Sequence, residues 1–186
     1  MELQRLPLEG LTKITPRRIG DNRGYFSEVF RRDWFEANIL DLEFVQDNES
    51  LSQPVGTVRG LHFQLPPFAQ GKLVRCISGR VFDVAVDIRK NSPTFGKWYG
   101  VELSMVNGVQ LWIPPGFAHG FATLEENSIL SYKVTAPYSA EHDRGVLWND
   151  PDIGIEWPVA PSAEILSDKD RKQPRLSDIS AYVDHQ

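Results

Sequence analysis

The sequence predicts an all-β fold, a sandwich or a barrel, and three observations carry that expectation. Thirteen prolines and 14 glycines are spread through the 186 residues rather than gathered into linkers. Short runs of β-branched and aromatic residues lie between them, at the spacing of successive strands. No apolar pattern of helical period is sustained for more than about three turns. The length suits one domain with its own core, taken as residues 1–186, since no linker, repeat or low-complexity tract divides it.

Taken in order, residues 33–40 form the best helix candidate. Trp34, Phe35, Ile39 and Leu40 share a face there, and Asp33 is placed as its N-cap. Residues 59–64 alternate as a strand, which puts His62 and Gln64 on one face and Phe63 on the other. A strand over 73–78 turns at Gly79-Arg80 into a strand over 81–89. In that second strand Phe82, Val84, Val86 and Ile88 point one way, and Val81, Asp83, Ala85 and Asp87 the other. A face that mixes small apolar and acidic residues suits a barrel interior with a polar site at one end. Strands over 100–104 and 109–113 flank Asn107-Gly108, a strong hairpin signal. Strands over 120–124 and 128–134 complete the series, and residues 141–145 read as a loop. The segment from about residue 158 is more polar, is expected to wrap the barrel, and holds a second short helix.

The composition narrows the function classes. Hydrophobic residues make up 41% and charged residues 24%, a normal globular balance, with a net charge of −5. Nucleic-acid binding, which calls for a basic face, is not expected. A small anionic ligand would need a local cluster of cations instead. The one cysteine, Cys76, sits in an apolar strand and reads as a buried, inert thiol. Residues 1–10 carry Glu2, Arg5 and Glu9 without an apolar stretch, so they do not read as a secretory signal, and no window has the length of a membrane span. A soluble cytoplasmic protein is expected.

One pattern is specific. Gly108, Pro114, Gly116 and His119 fit G-x5-P-x-G-x2-H, a motif by which cupin barrels are described. The glycines permit the tight turns, Pro114 ends a strand because it offers no ladder donor, and His119 is aimed inward. The expected architecture is therefore a cupin-like double-stranded β-helix, or jelly-roll barrel, with a few short helices. Metal-binding cupins place a His-x-His pair and a glutamate earlier in the chain. Here Gln64 stands where the second histidine would be, and an amide is a poor ligand for a transition metal. No metal and no organic cofactor are expected, and neither a G-x-G-x-x-G fingerprint nor a P-loop is present.

Arg59, His62, Lys72, His119 and Tyr132 gather on the interior face with acids nearby, a set fit for proton transfer. A plainer alternative exists for each. Arg59 and Lys72 could be surface ion-pair partners, Tyr132 could be core packing, and Asp83 and Asp87 could face solvent if the strand faces are reversed.

Several segments together resemble the dTDP-4-dehydrorhamnose 3,5-epimerase family. They are DNRGYFSE at 21–28, FVQDN at 44–48, VRGLHFQ at 58–64, QGKLVR at 70–75, FDVAVDIR at 82–89, SPTFG at 92–96, LWIP at 111–114, GFAHGF at 116–121 and LWNDP at 147–151. The resemblance covers roughly residues 10–170, with the motifs in the family's order and spacing. It implies cofactor-free inversion at C3 and C5 of dTDP-4-keto-6-deoxy-D-glucose, giving dTDP-4-keto-L-rhamnose through an enolate. It implies His62 as the base, Asp170 as the acid that orients it, Tyr132 as the acid on the far face and Lys72 at the enolate oxygen. Arg23, Arg59 and His119 are implied as contacts of the diphosphate and sugar. Glu28, Gln46, Asp47 and Asn48 are implied as polar readers, and Phe26 and Tyr138 as stacking partners of the thymine. Asp143 replaces the glutamate of some members, and with Lys169 it is carried weakly. A homodimer is implied, with Arg23, Phe26 and Glu28 acting on the partner's site. Two readings of other kinds stay open here: a relative that epimerises one centre or moves the ketone, and a metal-dependent cupin oxygenase or non-catalytic sugar-binding barrel.

Overall fold

In the computed structural model, which describes residues 1–159 and 165–182, the chain forms thirteen strands and three short helical segments. The strands are β1 (Glu2–Arg5), β2 (Thr12–Thr15), β3 (Arg18–Asp21), β4 (Gly24–Ser27), β5 (Gln46–Ser52), β6 (Val58–Gln64) and β7 (Lys72–Ser78). They continue as β8 (Arg80–Asp87), β9 (Trp98–Ser104), β10 (Gln110–Ile113), β11 (Phe117–Thr123), β12 (Ser128–Val134) and β13 (Asp143–Gly145). The helices are α1 (Arg32–Asn38), α2 (Asp168–Arg171) and a 3-10 helix over Leu176–Tyr182.

The strands form two facing sheets. The larger has the order β1-β2-β10-β7-β12-β5, the smaller β13-β6-β11-β8-β9, and β3 and β4 form a separate ribbon. From β5 to β12 consecutive strands alternate between the sheets, except that β8 and β9 pair with each other in the smaller one, which is a jelly-roll pattern. The turn at Asn107-Gly108 therefore closes no hairpin. Asn107 Oδ1 accepts the N–H groups of Ser104 and Val109, at 3.0 and 2.9 Å, and Gly108 takes φ +64°, but the turn carries the chain from one sheet to the other. The turn residues set only the local reversal. The apolar faces of the flanking strands decide which sheet each joins. Gly79, at φ +70°, makes a similar corner between β7 and β8.

The alternation read in β8 holds. Val81 and Ala85 pack inward with Val74, Cys76, Leu111, Ile113, Phe117 and Leu130 to fill the closed end of the barrel. Phe82, Val84, Val86 and Ile88 face outward, and Val146, Ile153, Leu176 and Ile179 cover them. The C-terminal segment thus packs across the smaller sheet, where full burial of each such side chain stabilises by about 1.5–3 kcal/mol. Asp87 is buried but lies outside the cavity. It accepts from Arg89, Ser92 and Thr94 and closes the loop after β8.

Helix α1 covers the outer face of the larger sheet, with the Phe35 ring 5.2 Å from Trp112 and 5.3 Å from Phe44. Asp33 is not its N-cap. That position is Arg31, which makes no side-chain cap, and Asp33 lies in the first turn, accepting from Trp34 N–H and Arg31 Nε. The carboxylate serves the positive end of the helix from one turn further in. The segment read as a loop at 141–145 contains β13, a short edge strand held on β6 through the pairs Asp143↔Gln64 and Gly145↔His62. Within this segment His142 is half-buried against the Phe68 ring, 4.8 Å away. Among the described residues no helix is long and apolar enough to cross a membrane.

A bulge in β6 fixes the interior. Pairing with β11 runs His119↔His62 and then Phe121↔Arg59, so three steps on β6 oppose two on β11. This lets Arg59 and His62, at opposite parity, face the same cavity. Gly60 absorbs the distortion at φ +126°, and a Cβ there would sit 2.5 Å from Gly120 Cα. Both the conformation and the contact exclude a side chain. The variant Gly60→Ala is expected to lower stability by about 2–4 kcal/mol, read as a lower urea midpoint at unchanged slope; an unaltered midpoint would show that the bulge tolerates a side chain.

Candidate active site

The sheets splay at one end around a cavity of about 400 Å³. Strand register explains what lines it. On the larger sheet Gln46, Val134 and Lys72 form one inward row, and Asn48, Tyr132 and Val74 form the next. On the smaller sheet the rows are His62, His119 and Ala85, then Arg59, Phe121 and Asp83.

His62 and Tyr132 line the cavity from facing sheets. The His62 ring is fixed by Asp170, with Nε2 and Oδ1 2.5 Å apart. Asp170 is delivered by α2, whose N-cap Ser167 accepts the Asp170 N–H at 3.1 Å. Burial pushes the Asp170 carboxyl up, but the hydrogen bond and charge of His62, together with Ser167 and the Gly60 N–H, outweigh it and hold the group below the usual carboxylate range. The carboxylate stays ionised and assigns one imidazole nitrogen a proton, which leaves the other ring nitrogen to act as a base.

Lys72 is buried at 7% exposure and donates to the His62 carbonyl oxygen at 3.2 Å, bridging the sheets. Desolvation lowers its pKa from 10.5 to about 8, against the pull of Asp143 and Asp83. Burial raises the pKa of the Tyr132 phenol, partly offset by Arg59, so it keeps its proton at neutral pH and can donate it. His119 is held from behind, its Nε2 2.9 Å from Asp83 Oδ2.

The rim is also tied down. Arg59 Nε donates to Ser52 Oγ at 2.9 Å, leaving its inner face on the cavity. Asp143 accepts from Lys169 Nζ and, at 3.3 Å, from the Tyr138 hydroxyl. Gln46 Oε1 accepts the Tyr138 N–H at 3.0 Å. Gln64 is engaged at both ends of its amide: Nε2 donates to Phe68 O and Pro137 O, and Oε1 accepts the Ser139 N–H. It shapes the loop that presents Tyr138. Among the described residues no three or more His, Cys, Asp or Glu side chains are placed to hold one metal ion.

Eleven of the residues singled out in the sequence reach this cavity. Four do not. Asp47 has the wrong parity on β5, faces outward, and binds Lys133 Nζ at 2.9 Å. Arg23 lies on the ribbon turn with its side chain 84% exposed and paired to Asp21. Phe26 is 70% exposed on β4, and Glu28 is exposed beside Arg31. Neither the ribbon nor Glu28 lines the cavity of its own chain. The lining also includes Ser50, Gln70, Phe121 and Ser167, which the sequence reading did not single out. Strand alternation marks Ser50 and Phe121 as partners of Asn48 and His119. Ser167 carries its signal only as a helix cap.

A jelly-roll with a restrained imidazole, a buried lysine and a protonated phenol around one cavity defines a class: a cupin-like isomerase working by acid–base chemistry. The family model described as dTDP-4-dehydrorhamnose 3,5-epimerase matches residues 5–178, and the chain belongs to that family. A relative of that name from Sinorhizobium fredii (strain NBRC 101917 / NGR234) is 62% identical over 96% of this chain and 91% of its own length. The crystal structure of the Bacillus anthracis enzyme of that name, with TDP and PPi bound, superposes with a TM-score of 0.90 at 48% identity, covering 94% of this chain and 98% of that one. The dTDP-6-deoxy-D-glucose-3,5-epimerase of Legionella pneumophila, in complex with dTDP-4-keto-L-rhamnose, gives a TM-score of 0.91 at 43% identity, covering 98% and 96%.

The buried ammonium has a cost that can be measured. Because the folded pKa of Lys72, about 8, lies below its ordinary 10.5, the unfolded chain binds the extra proton between those values, and stability rises with pH across that window. Lys72→Met is therefore expected to raise Tm by about 2–6 °C at pH 7. That advantage should shrink as pH climbs from about 8 toward 10.5. A gain that did not vary with pH would mean that the ammonium is not the source.

Proposed function

We propose that this chain is a dTDP-4-dehydrorhamnose 3,5-epimerase that converts dTDP-4-keto-6-deoxy-D-glucose to dTDP-4-keto-L-rhamnose with its own side chains alone. One observation carries the reading: an imidazole fixed by a carboxylate and a protonated phenol open onto one cavity from facing sheets. Inversion beside a ketone needs that geometry, a proton leaving one face of the carbon and another arriving on the opposite face.

In this scheme the free nitrogen of His62 takes the proton from C5 or C3. The carbon–hydrogen electron pair moves through the C4 carbonyl, and O4 becomes an enolate oxygen. Lys72 stabilises that charge with a donor already in place, an interaction of the kind whose loss typically costs about 10²–10³ in rate. Tyr132 gives its proton to the far face of the carbon. Proton exchange with solvent then restores His62 and Tyr132, and the sequence repeats at the second carbon. Arg59 and Lys169 supply positive charge for the diphosphate within an acidic chain, with His119 as a further contact on the same cavity. Tyr138, held at its backbone N–H by Gln46 and at its hydroxyl by Asp143, offers its ring to the thymine, and Gln46 and Asn48 offer polar groups beside it.

Turnover in deuterated water tests the scheme. The product should carry deuterium at both C3 and C5, whereas label at one carbon alone would assign a single-centre epimerase. In Tyr132→Phe, exchange catalysed by His62 should persist while inversion falls by about 10²–10³. His62→Ala should lose both. Equal loss of exchange and inversion in Tyr132→Phe would deny the phenol its separate role.

Arg23, Phe26 and Glu28 act in this proposal on the cavity of a second copy in a cytoplasmic homodimer. The support is their exposure on a ribbon and linker that do not line the active-site cavity of their own chain. Co-expressed Arg23→Ala and His62→Ala chains should then recover about a quarter of wild-type activity, since each mixed dimer rebuilds one intact site. If these residues act within their own chain, mixing will restore nothing.

A further inference from the structure

Tyr138 is 61% exposed, and among the described residues its side chain makes one hydrogen bond, at 3.3 Å to Asp143. Core packing does not hold this ring, so its attitude depends on the backbone that carries it. That backbone is fixed residue by residue through the amides of three glutamines. Gln70 Nε2 donates to Ala136 O at 2.8 Å, and Gln64 Nε2 donates to Pro137 O at 3.1 Å. Gln46 Oε1 accepts the Tyr138 N–H at 3.0 Å, and Gln64 Oε1 accepts the Ser139 N–H at 2.8 Å. The loop leaves the barrel at Thr135, whose Oγ1 accepts the Gly71 N–H at 2.8 Å and whose N–H donates to Gly71 O at 3.1 Å. From Ala136 to Ser139, outside any strand, each residue thus has a backbone group bound by a side chain of the cavity wall.

Gln64 is the centre of this arrangement. It is buried at 7% exposure on β6, two residues after His62 and on the same inward face. It binds the residue before Tyr138 and the residue after it, and a further bond, 2.7 Å to Phe68 O, ties in the loop that follows β6. An amide suits this task because one side chain offers donors to the two carbonyls and an acceptor to the N–H. The position of the second histidine in metal-binding cupins is here taken by a loop anchor. We propose that Gln64, assisted by Gln70, is a positioning residue for nucleotide binding: it sets the loop of residues 136–139 in advance, so that the Tyr138 ring stands ready to stack on the thymine. The proposal rests on the reading of Tyr138 as the stacking group of a dTDP-sugar enzyme. Ordering an irregular loop costs conformational entropy, and a ring fixed beforehand meets its ligand without that cost. The chemical groups do not depend on the clamp. His62 is held by Asp170 and Lys72 by the His62 carbonyl, and neither bond involves Gln64.

Calorimetric titration with dTDP tests the clamp apart from turnover. Gln64→Met keeps the length of the side chain, removes its donor and acceptor, and should weaken dTDP binding about tenfold. In Tyr138→Ala protein the same substitution should change the affinity by less than about twofold, because the group through which Gln64 acts is gone. With the keto sugar, KM of Gln64→Met should rise by a similar factor while kcat stays within about threefold of the wild type, whereas a generally loosened site would lower kcat as well. If Gln64→Met does not fold, Gln70→Met, which removes only the bond to Ala136 O, carries the same cycle with a change of about threefold. An affinity unmoved by the substitution, or a loss of equal size with and without the Tyr138 ring, would overturn the proposal. A wild type that does not bind dTDP would overturn it together with the epimerase reading. If the wild type binds dTDP but does not turn over the keto sugar, the epimerase reading alone fails, and the binding cycle still decides the role of Gln64.

Discussion

The hydrogen bond between His62 and Asp170 is the contact on which the site depends, because it joins parts of the chain that meet only when everything else is in place. His62 faces the cavity through the bulge at Gly60. Asp170 arrives on a four-residue helix capped by Ser167. That helix lies in a C-terminal segment that Leu166, Leu176 and Ile179 anchor to the smaller sheet. The bond is short, 2.5 Å, and it closes a separation of 108 residues. A bond of this kind restricts the ring in tautomer and in orientation, and a base that must act at one face of a carbon needs both.

The same region is held against the preferences of the fold. The closed end of the barrel is filled by apolar groups, which stabilise it. The open end buries Lys72, Asp83, His119 and Gln64 within the same layer of side chains. Burying such groups costs free energy that apolar residues of similar volume would not, unless each is paired. Their retention at one end only is what separates the scaffold from the site: stability comes mainly from one half of the sandwich and chemistry from the other.

Much of this was legible in the sequence, for reasons specific to particular residues. The alternation of β8 placed Asp83 on the interior face because period-two patterning survives any choice of sheet. His62, Lys72, His119 and Tyr132 were visible as a polar set on inward faces, and the family resemblance added Asp170, which no periodicity could connect to His62. Local signals failed where long-range packing decides. Asn107-Gly108 announced a turn but not that its two strands part company. Asp33 looked like a cap but lies in the first turn. Asp47 came with its motif, yet its odd position on β5 turns it to the outer face. Strand β13 is three residues long, too short to show alternation, and exists because β6 offers it an edge.

The route by which Asp170 reaches His62 has a temporal meaning. Synthesis proceeds from the amino end, so both walls of the barrel are made before the segment that supplies the carboxylate. A nascent chain can enclose the hollow and collect its lysine and phenol while the imidazole is still free to turn. In the proposed scheme, competence to move protons therefore waits for the segment around Asp170, the key that turns an enclosed hollow into a working site.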